Sequence, residues 1–99
     1  MFARVTTLQG PPERLDEGTA YALKQILPEA RQDPGWKGLL SLVDRSTGKV
    51  LTVTLWESED ALGDSEEAAS QVRSQIAETA GQTVSSVERY EVVLYEPAG

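Results

Sequence analysis

Apolar side chains cluster into six stretches along this chain, and their spacing distinguishes strands from helices. Phe2 to Leu8 holds a valine and two threonines and stops at Gly10-Pro11-Pro12, which predicts a strand ended by a breaker cluster. Leu15, Thr19, Ala22, Leu23, Ile26 and Ala30 then recur at helical spacing. A proline at the start and Glu13, Asp16 and Glu17 in the early turns suit the positive end of a helix dipole. Pro28 should kink this helix or end it near Leu27, leaving Glu29 to Gln32 as a short further turn. Asp33-Pro34-Gly35 predicts a turn, because proline and glycine restrict and release the dihedrals a turn needs.

Trp36 to Val43 and Val50 to Trp56 read as strands joined in a hairpin through the polar segment Asp44-Arg45-Ser46-Thr47-Gly48-Lys49. Ser58-Glu59-Asp60-Ala61-Leu62 reads as a turn or short helical piece. Asp64 is expected to cap a second helix, with Glu67 in the capping-box position. Ala68, Ala69, Val72, Ile76 and Ala80 form the apolar stripe of that helix, and Gly81 stands where a left-handed C-terminal residue belongs. Val84 to Tyr95, rich in valine and aromatics, predicts a long last strand, followed by a frayed Pro97-Ala98-Gly99. The order β-α-β-β-α-β is that of an α+β, ferredoxin-like domain with an antiparallel sheet, a single domain over residues 1–99.

The strands carry apolar side chains on both faces. Leu39-Leu40, Leu42-Val43, Val50-Leu51, Leu55-Trp56 and Val92-Val93-Leu94-Tyr95 all break the apolar–polar alternation of a half-solvated sheet. Two helices cover one face only, so the other face is expected to pair with a second copy in a homodimer.

Composition narrows the partners. With 99 residues, 25% charged and a net charge of −7, an acidic globular domain is expected, with no nucleic acid and no membrane surface as partner. There is no apolar run of membrane-spanning length, no basic leader at Met1-Phe2-Ala3-Arg4 and no cysteine, so a cytoplasmic location is expected. The chain holds no His, no Cys and no Asn. Ser-His-Asp and Cys-His catalysis are impossible without those residues, and the usual ligands of zinc, copper and non-haem iron are missing, so no metal site and no resident cofactor are expected. The acidic stretch Glu57 to Glu67 lacks calcium-loop spacing and reads as a solvated turn and helix start.

Pro34-Gly35-Trp36-Lys37-Gly38 opening the second strand resembles the proline-glycine-aromatic opening common in antibiotic biosynthesis monooxygenase-like domains. Thr54-Leu55-Trp56-Glu57-Ser58 and Ser86-Val87-Glu88-Arg89-Tyr90-Glu91-Val92 are similar to that family's third and closing strands. The resemblance implies a dimeric α/β barrel, two ferredoxin-like units packed sheet to sheet, with a small-molecule cavity between the sheet and the helices of each. It also implies a cofactor-independent monooxygenase-type activity on a small aromatic or polyketide-like substrate. Haem-degrading relatives use a histidine and an asparagine, and the quinone-forming ones lean on an asparagine; this chain supplies neither residue type. A non-catalytic module of the same fold, binding a small ligand or contributing only stability, is the alternative.

Four residues are candidates for the wall of such a pocket. Trp56 is either packing at the strand end or an aromatic wall. Tyr90 shares a strand face with Glu88, where its hydroxyl could bind or deprotonate a phenol, or could simply be a hydrogen-bonded core group. Thr54, with Thr6 and Thr52, would orient a ligand or merely favour the strand. Arg4, on a strand expected in the middle of the sheet, needs a partner; Glu88 or Glu91 in the last strand would make it structural, and an unpaired Arg4 would invite an anionic ligand.

Overall fold

A computed structural model describes residues Met1–Gly99. Strand β1 (Phe2–Gln9) leads through a 3₁₀ turn at Pro12–Arg14 into helix α1 (Leu15–Tyr21). A π-helical turn, Ala22–Ile26, joins α1 to α2 (Leu27–Ala30). Strands β2 (Trp36–Asp44) and β3 (Lys49–Trp56) form a hairpin, α3 (Glu59–Asp64) and α4 (Glu66–Ala80) follow, and β4 (Thr83–Glu91) closes the sheet. The strands run antiparallel in the order β2-β3-β1-β4, so the expected β-α-β-β-α-β topology is the observed one.

Several boundaries moved for identifiable reasons. Pro28 neither breaks nor ends the first helical stretch. The wider π turn ahead of it takes up the missing N–H and the ring's bulk, and the backbone stays right-handed through Leu27. Asp64 does not cap α4; it ends α3, and Ser65 at the junction has no side-chain capping bond. The cap that does form is Ser58 at the start of α3, whose Oγ accepts from the Ala61 N–H at 3.1 Å. The last strand stops at Glu91 rather than Tyr95, because its neighbour β1 has run out: the Val92 N–H reaches the carbonyl of Met1, and beyond it there is nothing to pair with. Gly81 adopts the expected left-handed conformation after α4, with φ 67° and ψ 26°.

Cross-strand register sorts the side chains into two faces. The rows Leu39–Thr54–Arg4–Arg89, Ser41–Thr52–Thr6–Val87 and Val43–Val50–Leu8–Val84 share one face. The rows Leu40–Val53–Val5–Glu88 and Leu42–Leu51–Thr7–Ser86 share the other, where Leu55, Ala3 and Tyr90 also stand. Helices cover only the first. On the second, Leu40, Leu42 and Tyr90 remain 54%, 47% and 51% exposed. The core itself is small: Leu8, Leu15 and Val50 pack together with Ile76 and Val84, all toward the hairpin end of β1.

Candidate functional site

Beyond that cluster, the space between sheet and helices is not filled by side chains. A cavity of about 420 Å³ lies there, in the range of small-molecule sites. Its two walls differ in character. The helical wall is apolar, with Ala22, Leu23, Ile26 and Leu27 on one side and Ala69, Val72 and Ile76 of α4 on the other. The sheet wall is dotted with polar groups: Arg4, Thr6, Thr52 and Thr54, with Ser41 toward the β2 edge. Ser41, Thr52 and Thr6 are register partners across three strands, so their hydroxyls form a row spanning roughly 10 Å at ordinary strand spacing.

One end of this wall is a built cluster. Trp56 is buried, and its indole N–H donates to Thr54 Oγ1 at 2.9 Å. The Arg4 guanidinium lies over the Trp56 ring, 5.9 Å from its centroid, a cation–π distance. Trp36 is the direct strand partner of Trp56 and also lines the cavity. Three of the four sequence candidates, Arg4, Thr54 and Trp56, therefore stand together on the cavity wall.

Tyr90 does not. It belongs to the opposite face of the sheet, half exposed, with its hydroxyl donating to Glu88 at 2.8 Å. That bond and the adjacent negative charge push the phenol above its usual value, the wrong direction for a base. The expected partner of Arg4 also requires correction. Neither Glu88 nor Glu91 pairs with it: Glu88 shares the outer face, and Glu91, though on the face of Arg4, stands opposite Phe2, while Arg89 is the direct strand partner of Arg4. Arg4 Nη2 instead donates to the Leu62 carbonyl and Ser65 Oγ, both at 2.9 Å, and meets Glu66 Oε2 at 3.0 Å.

Glu66 is the hub that sequence reasoning missed. Arg73, two turns along α4, donates to its Oε1 at 2.5 Å, and Arg89 of β4 approaches Oε2 at 3.6 Å. Burial alone would raise the Glu66 carboxyl, but the Arg73 hydrogen bond and the charges of Arg4, Arg73 and Arg89 outweigh it and hold the group below the ordinary carboxylate range. Arg4 is depressed chiefly by burial; Glu66 works against that, while Arg73 and Arg89 add to it. A signal for Arg73 was present in the chain. Ala69, Val72, Arg73 and Ile76 follow i, i+3, i+4, i+7 spacing, which places an arginine on the apolar stripe of α4.

The geometry has counterparts among solved structures. An antibiotic biosynthesis monooxygenase superposes with a TM-score of 0.67 at 18% identity, covering 95% of this chain and 100% of its own. The chain has the antibiotic biosynthesis monooxygenase fold. A second monooxygenase of this fold, from ActVA-Orf6 of Streptomyces coelicolor in complex with nanaomycin D, gives a TM-score of 0.70 at 15% identity and covers 97% of this chain and 92% of its own. The haem degrader MhuD of Mycobacterium tuberculosis, with two haems bound in its active site, gives 0.68 at 22% identity over 98% and 100%. No family model matches the chain. In sequence it is similar to two uncharacterized proteins of Mycobacterium tuberculosis. Rv2557 is 33% identical over 92 residues, which are 93% of this chain and 41% of that protein. Rv2558 is 30% identical over 77 residues, 78% of this chain and 33% of that protein. The chain thus spans well under half the length of these curated relatives. No helix is long and apolar enough to cross a membrane.

Proposed function

We propose that this domain binds a small, planar, oxygen-bearing aromatic molecule between sheet and helices and acts on it as a cofactor-independent monooxygenase. The observation that carries the reading is the two-sided cavity: an apolar helical wall faces a row of hydroxyls, with Arg4, Thr54 and Trp56 at one end. A flat ligand would lay one face against the aliphatic wall and direct its oxygens to the sheet. The monooxygenase that holds nanaomycin D shares this fold and supports the reading.

The chemistry is simple enough for such a wall. An anthrone-like phenol gives up four electrons as its ring CH₂ becomes C=O; one atom of O₂ enters the product and the other leaves as water. The protein's share is to hold the electron-rich form of the substrate, orient it and exclude bulk water. Haem degradation is not part of the proposal, since the chain has no histidine and none of its three tyrosines lines the cavity.

A non-catalytic binding module is the second reading, and one observation favours it. The carboxylates that line the cavity, Glu29, Asp33 and Asp64, are all exposed, so none is a desolvated base. Oxygen consumption with a panel of hydroquinones and anthrone-like phenols separates the two. Uptake that falls in Trp56→Phe and Thr54→Val supports the oxygenase; binding of the same phenols without uptake supports the module.

The domain would work as a homodimer joined through the outer sheet face. Leu40, Leu42, Leu51, Val53 and Leu55 form a continuous apolar surface there, and Val93, Leu94 and Tyr95 beyond β4 are also exposed.

A further inference from the structure

The cluster around Glu66 is out of balance. Three guanidiniums, those of Arg4, Arg73 and Arg89, converge on a single carboxylate, a surplus of two positive charges (three minus one) in a chain whose net charge is −7. Arg89 is half exposed and screened by water, whereas the Arg4 and Arg73 side chains are only 3% and 17% exposed. Buried charge of one sign is costly unless an opposite charge accompanies it. Water can supply acceptors to such groups but cannot supply the charge.

The donors are out of balance as well. Arg4 Nε and Arg73 Nη1 are buried with no acceptor, and so is the indole nitrogen of Trp36. All three residues line the cavity, whereas Glu66 and Arg89 do not. Glu66 therefore backs the two arginines from outside, and the unmet charge and the unmet donors belong to the side chains that a ligand would touch. Asp33 and Asp64 are the acids on this part of the cavity wall, and both are exposed and form no ion pair with either arginine.

We infer that the ligand carries a carboxylate, seated against Arg73 and Arg4 at the Trp36–Trp56 end of the cavity, with its aromatic body lying over the hydroxyl row. This rests on the reading that the cavity binds a small aromatic molecule, and it names the chemical class. An arginine pair selects a carboxylate over an isosteric neutral group because guanidinium donors match its two oxygens and its charge.

The test is calorimetric titration of the full chain with a matched pair of probes, 6-hydroxy-2-naphthoic acid and 6-hydroxy-2-naphthamide. The acid should bind roughly tenfold or more tighter, the discrimination of one charge-assisted contact. Because Arg4 remains, Arg73→Gln should cut that preference several-fold, and Arg73→Lys should retain more of it. Should Arg73→Gln fail to fold, the wild-type protein still decides: raising salt from about 0.05 to about 0.5 M should weaken the acid and not the amide. Equal binding of acid and amide, or an acid preference undiminished in folded Arg73→Gln, overturns the inference while the aromatic-ligand reading stands. Binding of neither probe overturns both.

Discussion

Arg4 of β1 and Glu66 of α4 stand 3.0 Å apart and tie a central strand of the sheet to the longest helix. The pair works because Arg4 is not left to Glu66 alone: the Leu62 carbonyl and Ser65 Oγ share the same guanidinium nitrogen. The α3–α4 junction is thereby pinned to the sheet, and Ser65, whose Oγ accepts from Arg4 and donates to the Leu62 carbonyl, makes no capping bond to α4.

Removing the hub should therefore cost stability. Glu66→Gln removes the charge and turns one acceptor oxygen into an NH₂ donor facing the guanidiniums, a loss of about 1–3 kcal/mol. Urea unfolding at neutral pH measures it, and a change within error would mean that the arginines are satisfied elsewhere.

The same carboxyl sets an acid limit. Its pKa is lower folded than unfolded, so its contribution is present above the unfolded value of about 4.3 and is lost as pH falls through the depressed folded value. Stability measured from neutral pH down to about 3 should decline more steeply in wild type than in Glu66→Gln, with the two curves converging at the acid end. Parallel curves would show that other carboxylates carry the acid sensitivity.

Two glycines separate backbone obstruction from mere strain. Gly48 has φ 82°, and a Cβ there would fall 1.9 Å from the Gly10 carbonyl oxygen, in the strap where the Gly10 N–H donates back to the Gly48 carbonyl. Gly81 has φ 67°, and its Cβ would meet only the movable end of Arg14. Gly81→Ala should cost about 1 kcal/mol for the left-handed conformation, and Gly48→Ala clearly more, read as the difference in thermal unfolding midpoint.

The outer face gives a prediction about assembly. Light scattering should report a dimer for the wild-type chain and a monomer for Leu40→Glu/Leu42→Glu, which puts two charges on the exposed apolar face. A wild-type monomer at micromolar concentration would mean that water tolerates this face.

Tyr90 and Trp56 should part company in binding experiments. Tyr90→Phe removes only the bond to Glu88 on the outer face and should leave cavity binding unchanged. Trp56→Phe loses the bond to Thr54 and part of the arginine stacking, and should weaken binding of any aromatic probe several-fold. Equal effects of the two substitutions would place the site elsewhere.

The division between local and non-local information runs through these residues. Strand and helix order, the left-handed Gly81 and the two apolar faces of β2 and β3 were readable from the chain, since each depends on spacing within one segment. So was the grouping of Arg4, Thr54 and Trp56, because β1 and β3 are both central in this topology and Thr54 and Trp56 are two apart on one strand. The π turn before Pro28 was not readable, because whether a helix breaks or widens depends on what holds its two sides in place. Nor was the Glu66 hub, whose members come from β1, α4 and β4 and meet only after the chain has closed on itself. Tyr90 shows the reason most plainly. Period two fixes which residues of β4 share a face, but not which face of β1 they join. That parity is set by register, here including a shift between Thr7 and Leu8, and a slip of one residue would have put Tyr90 under the helices.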